Sequence, residues 1–118
     1  MRLSSTLSLD NISSRSKGRH YELKTKAWLE AEDWQVEVVK GGTKWQKQVD
    51  FFGHFDIIAI HEWKPYILLI QVKGGKRWYL PGPAQRTLIS RYMASGVHIH
   101  KEWWAWRDRV KNPRIIKL

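Results

Sequence analysis

An aspartate, a glutamine and a lysine in the middle of the chain have the side-chain types that metal-assisted phosphate chemistry uses. Asp56 opens the apolar run 55–61 after a glycine-containing turn, and Gln71 and Lys73 stand two apart where the next apolar run, 65–72, ends. Mg²⁺ and Mn²⁺ take hard oxygen ligands in an octahedral shell, usually one or two carboxylates with waters and substrate phosphate. Residues two apart on a strand face the same side. If the two runs pair as a hairpin across a turn at 62–64, the start of one lies beside the end of the other. Asp56 then meets Gln71 and Lys73, and a carboxylate, an amide carbonyl and an ammonium can hold a cation and a phosphate together. Each residue also has a plainer role. Asp56 can cap its own turn, and Gln71 and Lys73 can mark where a buried strand emerges into water.

The elements around these residues can be read from pattern. Helix formers dominate from about 17 to 33, behind a cap supplied by Ser13, Ser14 or Ser16. Tyr21, Trp28 and Ala31 fall near one face, with Leu23, Ala27 and Trp34 beside it and Glu22 in the first turns. Residues 34–40 alternate apolar and polar as a half-buried strand does. Gly41 and Gly42 break that strand, and a polar loop at 43–48 carries Lys44, Trp45 and Lys47. The nearly continuous apolar runs at 57–60 and 67–70 belong at the centre of a sheet, covered on both faces. Gly74 and Gly75 release the chain into a basic, aromatic loop. A second helix is expected over 84–95, with Leu88, Ile89, Tyr92 and Met93 at helical spacing and Gly96 as its stop. Strands follow at 97–107 and, after Asn112 and Pro113, at 114–118. The order α-β-β-β-α-β-β, without internal repeat, predicts an α/β fold with a central mixed sheet flanked by helices. The expected organisation is one domain over 1–118, with 1–16 a flexible N-terminal arm.

Composition narrows the partner. The 118 residues carry 21 Lys and Arg against 11 Asp and Glu, a formal net charge of +10, and the basic residues run through the whole length. Such a domain favours a polyanion, nucleic acid before an anionic membrane surface, although the same charge also serves solubility alone. Eight Trp are enough both to build a core and to offer stacking surfaces. The absence of Cys excludes disulfides, thiolate zinc sites and cysteine nucleophiles. No apolar run is long enough to span a membrane, and the N-terminal stretch lacks the hydrophobic region of a secretory signal. An intracellular protein without membrane attachment is expected.

Three pieces in order resemble one superfamily. Gly18-Arg19-His20-Tyr21-Glu22 sits on the first helix, Phe55-Asp56-Ile57-Ile58-Ala59 opens a strand, and Gln71-Val72-Lys73 ends the next. Together they are similar to the PD-(D/E)XK nucleases, in particular archaeal Holliday junction resolvases and related phage or Mrr-like restriction enzymes. The likeness spans about residues 17–107. It implies a restriction-endonuclease-like core and a Mg²⁺- or Mn²⁺-dependent DNA endonuclease acting by phosphodiester hydrolysis, structure-specific in the manner of resolvases. It implies a homodimer on branched or duplex DNA, in the cytoplasm or at the nucleoid of a cell or encoded by a virus. Asp56 becomes the principal metal ligand, Gln71 a second through its carbonyl oxygen, and Glu22 a ligand directly or through water. Lys73 orients or activates the attacking water and offsets charge developing on the phosphate. The departure is Gln71, which stands where the family usually has an acid, as in the QxK variant. An amide oxygen can ligate a hard cation but brings no charge, so metal affinity is expected to be lower. The same change would also suit a domain that binds nucleic acid without cutting it.

The basic residues Lys17, Arg19, Lys44, Lys47, Lys76 and Arg77 would ring this site and contact phosphates, with Trp78 and Tyr79 available for stacking or wedging. No base-reading helix or zinc finger is present in the pattern, which points to recognition by shape. Glu22 has the alternative of an ion pair with Lys26 one turn on. Asp50 can join the site or order its loop, the commoner role for such a residue. His98 and His100 fit ordinary strand positions better than a metal site lacking a third ligand. The run Trp103, Trp104, Ala105, Trp106 suits a core or a dimer interface better than a base-stacking platform.

Overall fold

The computed structural model describes residues 14–39, 50–51, 54–92 and 98–118, with backbone only at 14–17, 88 and 90–92. The element order is the expected one: α1 (Ser14–Glu30), β1 (Trp34–Val38), β2 (Ile57–His61), β3 (Lys64–Gly75), α2 (Pro83–Tyr92), β4 (Ile99–Arg107) and β5 (Arg114–Lys117). The strands form one mixed sheet in the order β1-β2-β3-β4-β5. β1, β2 and β3 are an antiparallel meander, β3 and β4 run parallel, and β5 returns antiparallel on β4. The parallel step is made through α2, as such a crossover requires. Among the described residues no helix is long and apolar enough to cross a membrane.

Alternation along the strands sorts the apolar residues into two layers. Leu68, Ile70, Val72, Trp104 and Trp106 lie with Tyr21 and Leu29 of α1 on one face. Leu69, Trp103 and Ala105 lie with Phe55 and Ile89 of α2 on the other. The tryptophan-rich strand is therefore core on both faces: Trp103, Trp104 and Trp106 are all buried. His98 and His100 take strand-end roles, His98 Nδ1 lying 3.1 Å from the Pro65 carbonyl and His100 stacking on Tyr66 with centroids 3.7 Å apart.

Several expectations need correction. The helix already includes Ser14, within the stretch expected as an arm, and residues 1–13 lie outside the described residues. The buried stripe of α1 is Tyr21, Thr25 and Leu29, one residue every turn, whereas Leu23 is 45% exposed and Trp28 36%. Thr25 is tolerated there because its Oγ1 donates to the Tyr21 carbonyl at 2.8 Å and accepts from Trp106 Nε1 at 2.8 Å. The helix gives way at Asp33, whose φ of 71° is a left-handed conformation that Asp adopts more readily than most residues. β3 does not stop at Val72: the parallel ladder carries it on through Lys73↔Ala105 to Gly75↔Arg107. Both central strands are covered only in part, since Ile60 and Ile67 are 49% and 43% exposed near the β2–β3 turn.

Candidate functional site

The hairpin turns at Glu62 and Trp63, and the register Ile57↔Ile70 and Ile58↔Leu69 places Asp56 opposite the Gln71 end of β3. The backbone of Asp56 is held from both sides: its N–H donates to the Ile70 carbonyl and its carbonyl accepts from Val39 N–H, each at 2.8 Å. Its side chain is held as firmly. Oδ2 accepts the Val72 N–H at 2.8 Å and the Gln71 Nε2 at 3.1 Å. The juxtaposition expected from sequence is thus the observed geometry for Asp56 and Gln71, both buried. Lys73 comes from the same strand end but is exposed, and no hydrogen bond or ion pair joins it to Asp56 among the described residues.

Glu22 is brought to this end of the sheet by the way α1 is fixed. The Tyr21 ring stacks on Trp106 at 6.1 Å, its hydroxyl donates to Asp108, and it rests on the backbone at Gly74. With helix rotation fixed by that contact, Glu22 is buried at 7% exposure, and its Oε1 lies 3.5 Å from Arg19. Arg19 also donates to the Val39 carbonyl at 3.0 Å. Its guanidinium therefore braces the acid and the end of β1 together, a different role from a free phosphate contact.

Asp50 is the residue whose place the sequence reading underweighted. Phe51 and Phe55 form an isolated antiparallel bridge, so the chain doubles back and Asp50 reaches the Asp56 carboxyl. Burial pushes the Asp56 carboxyl up to about 8, the charges of Asp50 and Glu22 and a hydrogen bond with Asp50 push the same way, and the Val72 N–H opposes them. These surroundings favour the protonated form of Asp56, hydrogen-bonded to the Asp50 side chain. The only sequence signal for Asp50 was its position just before two aromatic residues and a glycine.

Asp50, Asp56, Gln71 and Glu22 all carry oxygen, the donor a hard divalent cation prefers. Among the described residues, however, no three His, Asp or Glu side chains are grouped as metal ligands. Of the expected basic ring, Lys76 and Arg77 are exposed just beyond Lys73, Lys17 falls within α1 with its side chain undescribed, and Lys44 and Lys47 lie outside the described residues. Trp78 and Tyr79 are not free stacking surfaces, because each has an arginine over its ring: Arg114 at 5.5 Å and Arg77 at 5.1 Å. A concavity of about 660 Å³ lies on the α1 face toward the β2–β3 turn, lined by Trp28, Trp34, Trp63, Tyr66 and Trp104 among others. It contains none of Glu22, Asp56, Gln71 or Lys73. No family model, no curated protein and no solved structure matches this chain.

Proposed function

We propose that this chain is a metal-dependent DNA endonuclease of the PD-(D/E)XK type, hydrolysing phosphodiesters in duplex or branched DNA. The observation that supports this reading is the set of oxygen-bearing side chains around the buried Asp56 carboxyl, with Gln71 hydrogen-bonded to it and Asp50 and Glu22 close enough to raise it, at the open end of a sheet in a strongly basic domain. Mg²⁺ or Mn²⁺ would neutralise the acids and polarise the phosphate, held by Asp56, Asp50 and the Gln71 carbonyl, with Glu22 acting through water. Gln71 would turn its amide to present oxygen, since in the unliganded arrangement it presents nitrogen to Asp56. Val72 N–H keeps the Asp56 carboxylate fixed while it gives up its proton. Lys73, exposed at the same strand end, would hold the attacked phosphate and offset the negative charge that grows on it.

A second reading has its own observation. Asp56 Oδ2 is already satisfied by two donors, and the position beside it carries an amide in place of an acid. Both suit a domain that binds nucleic acid without cutting. The assay that separates the two is cleavage of junction, flap and linear DNA with Mg²⁺ or Mn²⁺. Wild type is expected to cut at least one, with Asp56→Asn and Lys73→Ala each reducing the rate by about 10²-fold or more. Binding by wild type with no cutting of any substrate leaves the non-catalytic reading.

A further inference from the structure

The parallel and antiparallel registers around β4 align Lys73, Ala105 and Arg114 in one row across three strands. Residues aligned in this way share a face, so Lys73 and Arg114 both lie on the α2 side of the sheet, separated by about 10 Å, two strand spacings. Between them Ala105 is fully buried, in the apolar cluster that Trp78 joins from the loop after β3. That loop is pinned across the sheet by Trp103 Nε1, which donates to the Tyr79 carbonyl at 2.8 Å. Trp78 and Tyr79 then each support an exposed arginine, Arg114 5.5 Å and Arg77 5.1 Å from the ring centroids.

A guanidinium held over an aromatic ring has lost part of its rotamer freedom and keeps its planar fork of N–H donors for an oxyanion. We infer that Arg77 and Arg114, each levelled on its aromatic ring, form with Lys73 a phosphate-binding track that carries the nucleic-acid backbone from the candidate site toward β5. This rests on the proposed function for the identity of the polyanion, but it assigns a contact, Arg114, that the nuclease resemblance does not. It also assigns the aromatic residues to arginine support and not to base stacking. At 3.4 Å of duplex rise per nucleotide along one strand, the spacing from Lys73 to Arg114 corresponds to about three steps. Contacts of this kind are indifferent to sequence and sensitive to salt.

The test is fluorescence anisotropy with the full chain, labelled duplexes of two unrelated sequences and a salt series in EDTA, so that cleavage does not enter. Arg114→Ala is expected to weaken binding by about 5- to 20-fold at moderate salt, equally for both duplexes, and to make the log–log salt slope shallower by about one. Arg77→Ala/Arg114→Ala should lower the slope by about two, while Lys64→Ala, at the opposite end of β3 beside the β2–β3 turn, leaves it unchanged. An Arg114→Ala protein with wild-type affinity and slope overturns the track, and wild-type binding in the same experiment keeps the proposed function alive. A loss confined to one sequence overturns it in favour of base contact. Tighter wild-type binding to vesicles containing phosphatidylserine than to DNA, with the same Arg114 dependence, overturns it in favour of a membrane surface. Failure of wild type to bind either duplex removes both the track and the proposed function.

Discussion

At the scale of residues, protonation of Asp56 governs what the site can do. The folded carboxyl holds its proton up to about 8, whereas an unfolded aspartate releases it near about 4. Between those values unfolding releases a proton, so stability falls as pH rises through the window. Scanning fluorimetry without metal should show the melting temperature falling from pH 5 to pH 8.5 by roughly 10–20 °C more in wild type than in Asp56→Asn. Equal slopes would mean that Asp56 ionises normally. Gln71→Glu tests the ligand role from the other side. Calorimetry should find Mn²⁺ bound about tenfold more tightly if position 71 ligates the ion, and unchanged affinity takes Gln71 out of the coordination set. Asp56 and Gln71 were legible from sequence because a two-residue strand period and a short turn together fix a register. Asp50 was not, because its approach depends on the Phe51–Phe55 bridge, a pairing that no local pattern announces. Its Ala variant should lower the Asp56 proton affinity, visible as a shallower dependence in the same pH scan.

At the scale of elements, the contact between α1 and the end of β3 decides where Glu22 points. A Cβ added at Gly74 would come within 2.2 Å of the Tyr21 ring. Tyr21 cannot retreat easily, since it is also stacked on Trp106 and bonded to Asp108. Gly74→Ala should therefore cost about 2–3 kcal/mol in urea unfolding and, under the proposed function, also lower the cleavage rate by displacing Glu22. A neutral effect on stability would show that α1 can shift without strain. The existence, type and order of the elements were legible in the apolar periods and glycine breaks. The rotation of α1 was not. Hydrophobicity alone put Trp28 and Leu23 near the core, whereas the helix seats Tyr21, Thr25 and Leu29, and the polar Thr25 is chosen by an indole N–H on a strand far along the chain. The end of β3 was equally hidden, because Gly74 and Gly75 read as a break until β4 is present to pair with them.

At the scale of the whole molecule, the sheet separates two kinds of surface. The end bearing Asp56 is polar and flanked by arginine and lysine, whereas the β2–β3 turn end is aromatic, with Trp63 81% exposed. The topology that makes this division also has a kinetic meaning. β2 and β3 can pair across a two-residue turn, but β4 reaches β3 only after the loop and α2 have been laid down. Contacts distant in sequence carry the larger loop-closure cost and tend to form later. The hairpin that aligns Asp56 with Gln71 is thus the local part of the fold. The stack of Tyr21 on Trp106 and the row from Lys73 to Arg114 both wait for β4. A half-formed chain would set Asp56 beside Gln71 before Glu22 has its seat, and substitutions at the turn should slow folding where those in β4 mainly speed unfolding.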